Sequence, residues 1–147
     1  MLQVGAMHQA CFCQAARALA CSSGAALTCS LADLLLLQGC KDIPAVKAML
    51  ATAQGVLGYD LLKVCLEGPK ELLDDTAVSQ PALYVAGLAA VEQLRAEDAA
   101  AVDQCSAAAG LSLGEYCALV FAGALSFEDG LKVRRTCRSL AGSICCT

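Results

Sequence analysis

Apolar residues recur with helical spacing from residue 42 onward. Five of them fall on one helical face: Ile43, Val46, Leu50, Ala53 and Leu57. This spacing predicts an amphipathic helix. Asp42 is the expected N-cap, Pro44 fits the first turn, and Gly58 is expected to end the helix in a left-handed conformation.

Two short helices are predicted next. The stretch from Asp60 to Glu67 indicates a helix that ends at Gly68-Pro69, because proline does not continue a helix. One further helical turn is predicted from Lys70 to Asp74, and a loop is predicted at Asp74-Asp75-Thr76.

A long helix follows, with Ser79 as its expected N-cap and Pro81 tolerated early. Its apolar face contains Leu83, Gly87, Ala90 or Val91, and Leu94. The acidic stretch 96–104 is expected to lie in solvent. Beyond it, Leu113 to Ala122 predicts another helix, and Ser126-x-x-Asp129 resembles a capping box that opens the next one.

The stretch Gly110-Leu111-Ser112-Leu113-Gly114 places a serine between two glycines. This is the pattern of a nucleophile elbow, in which a strand turns sharply into a helix and the serine hydroxyl is exposed. Glycines are expected at 110 and 114 because a side chain at either flank would clash as strand and helix close. Free backbone N–H groups at the start of the helix could hold an oxyanion. The alternative is a loop serine without a catalytic role.

Residues on both sides of this elbow resemble one enzyme family, the malonyl-CoA:acyl carrier protein transacylases. The resemblance covers about Asp42 to Val133. It is carried, in the order that the family uses, by Leu57-Gly58-Tyr59-Asp60-Leu61-Leu62, Gly68-Pro69, Thr76-Ala77-Val78-Ser79-Gln80-Pro81-Ala82-Leu83, Leu113-Gly114-Glu115-Tyr116, Ala118-Leu119, Phe121-Ala122-Gly123-Ala124 and Ser126-Phe127-Glu128-Asp129-Gly130-Leu131-Lys132-Val133. Leu111 stands where bacterial members usually carry histidine, which looks more like the plant and algal plastid versions.

The resemblance implies an α/β fold, the α/β-hydrolase-like large subdomain of an acyltransferase. This chain would be an N- and C-terminally incomplete part of it, mainly α-helical with at most one or two short strands. Ser106 to Gly110 would be a strand by resemblance alone, since a run of alanines has low strand propensity.

The resemblance also implies a reaction in fatty acid biosynthesis. Malonyl would pass from malonyl-CoA to the phosphopantetheine thiol of acyl carrier protein through a malonyl-serine intermediate, without a further cofactor. Ser112 would be the nucleophile and the backbone N–H of Leu113 an oxyanion donor. Gln80 would line the pocket, or would be an ordinary residue in the first turn of a helix. Glu115 and Tyr116 would hold the elbow.

Two groups that the family needs have no clear counterpart. The catalytic base of the family is a histidine from beyond this C-terminus, and the one histidine here is His8. A malonyl carboxylate needs a fork-shaped cation, but Cys137 stands at the position of the family's arginine. Among Arg134, Arg135 and Arg138, the last is the best substitute. The alternative for all three is a solvated basic face at a helix end. We therefore expect the chain to be inactive alone.

Composition narrows the classes of partner. The formal net charge is −4, which argues against nucleic acid and against an anionic membrane surface. The longest apolar runs, 81–91 and 116–126, are too short to span a bilayer.

The 11 cysteines include no C-x-x-C pair, and Cys11-x-Cys13 and Cys145-Cys146 are poor zinc geometries, so no metal site is predicted. Cys65, Cys105 and Cys117 are expected to be small buried residues.

Composition also changes at both ends of the chain. Residues 1–41 are rich in Ala, Cys and Ser and poor in acids, as in a plastid transit peptide, or they reflect an error in the gene model. Residues 42–133 are the expected partial acyltransferase domain, and 134–147 are an atypical tail. The resemblance implies the plastid stroma, with the cytoplasm as the alternative.

Two other functions remain open from the sequence. A general serine esterase needs a histidine after its nucleophile, and none follows Ser112. A non-catalytic helical remnant or interaction module would expose apolar helix faces.

Overall fold

The computed structural model describes residues 37–141, with side chains described except at residue 70 and residues 136–141. The predictions for the two ends, which include His8 and the cysteine pairs near each terminus, lie outside the described residues. The described part is helical without a strand, which agrees with the expectation of a mainly helical fragment. After a helical stretch at 37–40, the helices are α1 (Pro44–Leu57), α2 (Leu61–Glu67), α3 (Lys70–Asp74), α4 (Thr76–Glu97), α5 (Ala99–Asp103), α6 (Leu113–Phe121) and α7 (Phe127–Ala141).

The ends of α1 confirm one predicted cap and correct another. Gly58 adopts φ 82° and donates its N–H to the Gln54 carbonyl at 2.9 Å, as predicted for a left-handed end. The N-cap, however, is Ile43 and not Asp42. The Asp42 carboxylate instead lies 3.6 Å from the Lys47 ammonium in solvent. Proline at the first position starts the helix without a side-chain cap, because its φ is already helical and it has no N–H to satisfy.

Helix α4 begins before its predicted N-cap. Asp75 caps it by accepting a 2.9 Å hydrogen bond from the Ala77 N–H, so the carboxylate four residues upstream of Ser79 starts the helix. Ser79 lies inside α4 and is only 1% exposed. The prediction that Ser79 is the N-cap is therefore wrong, and Gln80 lies in the second turn rather than the first.

Helix α4 is the centre of the fold, and α1, α3, α5, α6 and α7 all pack against it. Its buried residues are mostly Ala and Val, whose short side chains let neighbouring helices approach closely. The largest exception is Tyr84, which is fully buried. Around it, the core contains Leu37, Val46, Leu61, Leu73, Cys117 and Leu131.

The connection from α4 to α6 differs from the prediction in two places. Within the acidic stretch, Asp98 caps the short helix α5 by accepting from the Ala101 N–H at 3.1 Å, and Val102 is buried whereas Asp103 is exposed. The segment 105–110 forms no strand among the described residues, so the strand prediction for Ser106 to Gly110 is wrong for this structure. Alanines have little strand propensity, and no second strand lies in the described part to pair with.

Within residues 37–141, no single helix has both the length and the apolar character needed to cross a membrane. Helices α1 and α2, bent by 97° at their junction, meet that test only when they are taken together.

Candidate active site

Ser112 lies at the N-cap of α6 with φ 54° and ψ −106°. It is the one residue other than glycine with positive φ in the described part of the chain, and it is exposed. This conformation costs an L-residue about 1–3 kcal/mol, and such strain is typical of functional turns. The backbone therefore makes the sharp turn into a helix that the glycine pattern predicts, although the segment before it is not a strand.

Glu115 closes this turn on itself. Its carboxylate accepts a hydrogen bond from the Ser112 N–H at 3.2 Å, and its own N–H donates to the Ser112 carbonyl at 3.2 Å. A carboxylate in the first turn also lies at the positive end of the helix dipole. These contacts support the interpretation of Glu115 as a residue that holds the elbow.

The two glycines of the motif differ in their surroundings. A Cβ at Gly110 would overlap the backbone carbonyl group of Gly114 and lie 2.6 Å from the Glu115 nitrogen. A Cβ at Gly114 would meet nothing within 4 Å. The expected clash is therefore present at Gly110, where the incoming chain passes against the first turn of α6. The expectation of a clash at Gly114 is wrong in this structure, because that position faces open space.

Leu113 is the first residue of α6. An amide at this position has no acceptor within its own helix, and no acceptor for it is found among the described residues. The N–H thus remains able to donate to an oxygen beside Ser112. On the other side of the serine, Leu111 is 89% exposed, so the elbow is open to solvent.

A half-buried arginine connects the elbow helix to Gln80. Arg134 on α7 donates from Nη2 to the Gln80 Oε1 at 2.7 Å. Its guanidinium carbon lies 4.7 Å from the ring centroid of Tyr116 on α6. Its neighbour Arg135 points elsewhere and donates to the Val56 carbonyl on α1 at 2.5 Å.

The side chain of Arg138, preferred from the sequence, lies outside the described ones. The interpretation of Arg134 as part of a solvated basic face is wrong.

Cys117 lies on the buried side of the elbow helix α6, against α4. Its thiol lies 3.9 Å from the Tyr84 carbonyl. Burial raises the pKa of the Cys117 thiol to about 11, although the charge of Arg134 acts in the opposite direction. Burial also raises the pKa of Tyr84. Cys117 and Cys65 are buried as predicted, whereas Cys105 is only half-buried and its thiol lies 3.3 Å from the Ala107 carbonyl.

The sequence model of the acyl transferase domain family matches residues 44–144. The match contains the elbow, Gln80 and all three arginines of α7. The chain belongs to the acyl transferase domain family. The acyl transferase domain implies an α/β family fold. The described residues of this chain contain helices of that fold. The match continues past Val133, and the domain boundaries at 42 and 133 stay predictions.

Several curated relatives are similar to this acyl transferase domain. The mitochondrial malonyl-CoA-acyl carrier protein transacylase of Mus musculus is 54% identical over 63% of the chain and 24% of its own length. The protein of the same name from Homo sapiens is 51% identical over 64% of the chain and 24% of its length. The Malonyl CoA-acyl carrier protein transacylase of Escherichia coli K12 is 39% identical over 61% of the chain and 28% of its length. The chain thus spans about a quarter of the length of these relatives.

A separate cleft of about 300 Å³ lies where α5, the segment 105–108 and the end of α6 meet. It is lined by Arg95, Val102, Asp103, Cys105, Ser106, Ala107, Ala108, Phe121 and Ala122. Ser112 and Gln80 are not part of its lining. Among residues 37–135, no cluster of three or more His, Cys, Asp or Glu side chains could hold a metal ion.

Proposed function

We propose that this chain carries the nucleophile of a malonyl-CoA:acyl carrier protein transacylase of fatty acid biosynthesis. The observation that supports the proposal most directly is the strained, exposed Ser112 at the start of α6, within a sequence that matches the acyl transferase domain. The names of the mouse, human and bacterial relatives supply the substrate class.

The first half-reaction transfers malonyl to the serine. The Ser112 oxygen forms a bond to the thioester carbonyl carbon while its proton passes to a base. The tetrahedral oxyanion accepts a hydrogen bond from the Leu113 N–H. The bond from carbon to sulfur then breaks, and coenzyme A leaves as a thiol after taking up the proton. In the second half-reaction, the phosphopantetheine thiol of acyl carrier protein attacks the malonyl ester and regenerates the serine hydroxyl. Neither half-reaction needs a further cofactor.

The base is the group that the described residues do not provide, since none of them is a histidine. The only histidine of the sequence is His8, outside the residues that match the family. A serine without a base is a weak nucleophile. We therefore propose that the chain alone is acylated slowly and that turnover needs a base from outside the matched residues.

Radiolabelled malonyl-CoA tests this proposal on the full 147-residue chain. The chain is incubated with the label, then digested, and the labelled peptide is identified by mass spectrometry. Label on Ser112 that increases with added imidazole, and that moves to added acyl carrier protein, is the expected result. Ser112→Ala removes the label, whereas Ser106→Ala, a change at another exposed serine, retains it.

Two results would overturn the assignment. One is a folded chain that takes up no label even with imidazole present. The other is label that survives Ser112→Ala. A wild-type chain that is labelled but does not pass malonyl to the carrier would retain the nucleophile assignment and refute complete transfer.

The second candidate is a non-catalytic interaction module. It is favoured by the large apolar side chains that α2, α3, α6 and α7 expose, namely Leu66, Leu72, Leu119 and Val133. A contiguous exposed apolar patch marks an interaction surface, and a module of this kind would bind its partner through these side chains. The labelling experiment separates the two candidates, because a binding module retains its fold but does not take up malonyl. A general serine esterase has no such support, since no histidine follows Ser112.

The compartment is a separate proposal. The plastid stroma is the location that the resemblance implies, and residues 1–41 would be the transit peptide. The names of the mouse and human relatives contain the word mitochondrial. The mitochondrion is therefore the alternative location. Residues 1–41 fused to a fluorescent protein decide between them: import into isolated plastids supports the proposal, and import into mitochondria alone, or no import, refutes it.

A further inference from the structure

The cleft between α5, the segment 105–108 and the end of α6 is separate from the elbow, since neither Ser112 nor Gln80 lines it. Its volume of about 300 Å³ lies at the lower end of the range for pockets that bind small molecules. A cleft of this size is suited to a small ligand rather than to a folded partner.

Two opposite charges line this cleft without pairing with each other. Arg95 extends from the last turn of α4, and Asp103 is the last residue of α5. The ion pairs of the described residues include none between these two. The Arg95 Nε lies 3.6 Å from the Glu92 carboxylate, which leaves both Nη groups for another acceptor. The Asp103 carboxylate is exposed and has no partner in the part of the chain that the structure describes.

The rest of the lining is mostly apolar. Val102 is buried and Phe121 is half-buried, so the two provide an aliphatic surface and an aromatic ring. Ala107 and Ala108 end in methyl groups, which leave the space between them and α6 open. A cation and an anion beside an apolar surface match a small molecule that carries both charges on an apolar body.

We propose that this cleft binds a small zwitterion of the amino acid class with an apolar side chain. The ligand carboxylate accepts hydrogen bonds from Arg95, and the ligand ammonium group donates to Asp103. The apolar side chain lies against Val102 and Phe121. A ligand with a single charge is disfavoured, because an anion would face Asp103 and a cation would face Arg95.

Such a ligand would connect three helices. Arg95 belongs to α4, Asp103 to α5, and Phe121 is the last residue of the elbow helix α6. A molecule that binds the folded chain and not the unfolded one stabilises the fold by mass action. We therefore expect the ligand to raise the melting temperature of the chain as well as to bind.

L-phenylalanine and L-leucine are the probes, used on the full 147-residue chain in calorimetric titration and in thermal unfolding. Two analogues of the first probe serve as matched controls. Phenylpropionate has the ring and the carboxylate without the ammonium group, and phenethylamine has the ring and the ammonium group without the carboxylate. We expect L-phenylalanine to bind at least about tenfold more tightly than either analogue, since each lacks one hydrogen bond between charged groups.

Variants assign each charge of the ligand to one side chain. Arg95→Gln should weaken the binding of L-phenylalanine and phenylpropionate about tenfold or more and should not weaken that of phenethylamine. Asp103→Asn should weaken the binding of L-phenylalanine and phenethylamine and should not weaken that of phenylpropionate. Arg135→Gln makes the same change in net charge as Arg95→Gln at a residue that donates to Val56, and it should leave all binding unchanged. Far-ultraviolet circular dichroism confirms that each variant folds.

Three results would overturn the proposal. The first is a folded chain that neither amino acid binds or stabilises. The second is equal binding of L-phenylalanine and its two analogues, which would mean that the charges take no part. The third is amino acid binding that survives both Arg95→Gln and Asp103→Asn. Ser112→Ala should leave the binding intact, so this site is tested independently of acyl transfer.

Discussion

The hydroxyl of Tyr84 donates a 3.1 Å hydrogen bond to the backbone carbonyl of Phe127. The rings of these two residues also stack, with centroids 5.5 Å apart and an angle of 21° between the planes. Tyr84 is the largest fully buried side chain of the described core, and Phe127 is the first residue of α7. The pair thus fixes the start of α7 against α4, and the position of Arg134 further along α7 depends on that docking.

Gly130 leaves room for this tyrosine, which leads to a prediction of coupled mutational effects. A Cβ at Gly130 would overlap the Tyr84 hydroxyl and lie 3.0 Å from Cζ. Gly130→Ala should lower the free energy of unfolding by about 2 kcal/mol or more, and Tyr84→Phe by about 1 kcal/mol. The double variant should lose less than the sum, because removing the hydroxyl makes room for the methyl group. Urea unfolding of all four proteins measures the coupling, and strictly additive losses would contradict the packing described.

The two glycines of the elbow should respond oppositely to alanine. Gly110→Ala places a methyl group on the Gly114 backbone, which cannot move without disturbing α6, and should cost about 3 kcal/mol of stability. Gly114→Ala adds a methyl group in open space inside a helix and should raise stability by about 0.5–1 kcal/mol. Thermal and urea unfolding of this matched pair test the elbow geometry without any measurement of activity. Equal effects at the two positions would refute it.

The strain at Ser112 predicts an order of stability among its variants. Glycine adopts φ near 54° freely, whereas alanine does not. Ser112→Gly should therefore be more stable than Ser112→Ala by about 1–2 kcal/mol. The same two substitutions at Ser106, which has no positive φ, provide the control, and there glycine should not be the more stable. If Ser112→Ala were the more stable of the two variants, Ser112 would not have a positive φ.

The buried thiol of Cys117 predicts a loss of stability in alkali. Its pKa is raised from 9.0 to about 11 in the folded chain, first of all by burial. Because the folded pKa is the higher one, the stabilisation is complete below pH 9 and is lost as the pH rises toward and through 11. Under reducing conditions, wild type should lose about 2 kcal/mol more than Cys117→Ala between pH 8 and pH 11. Urea unfolding at intervals across that range tests this, and parallel curves for the two proteins would contradict it.

Helix positions and the elbow could be predicted because their signals are local. The apolar spacing before Gly58, the helix end at Gly68-Pro69, and the glycine at 110 each act within one or two turns of chain, and the structure confirms them. The errors at Asp42 and Ser79 also have a local cause. At α1, the proline at position 44 starts the helix without a side-chain cap, and at α4 the Asp75 carboxylate accepts the capping amide hydrogen bond that Ser79 was expected to accept.

The arginine contact could not be predicted in this way. Arg134 and Gln80 are 54 residues apart, and three arginines along one helix offer the same chemistry. Which of them meets Gln80 depends on the rotation of α7 about its axis, since each residue turns a side chain by about 100°. That rotation is set by Tyr84, Phe127 and Gly130 at the other end of the helix.

The amino-acid pattern was sufficient to identify the family, most of the helices and a strained serine at the start of one of them, because backbone preferences act between near neighbours. The packing of α4, α6 and α7 was needed to show which arginine of α7 contacts Gln80 and Tyr116, because such contacts depend on how distant helices dock. The same packing showed that segment 105–110 pairs with no strand among the described residues, since a strand requires a partner as well as a sequence.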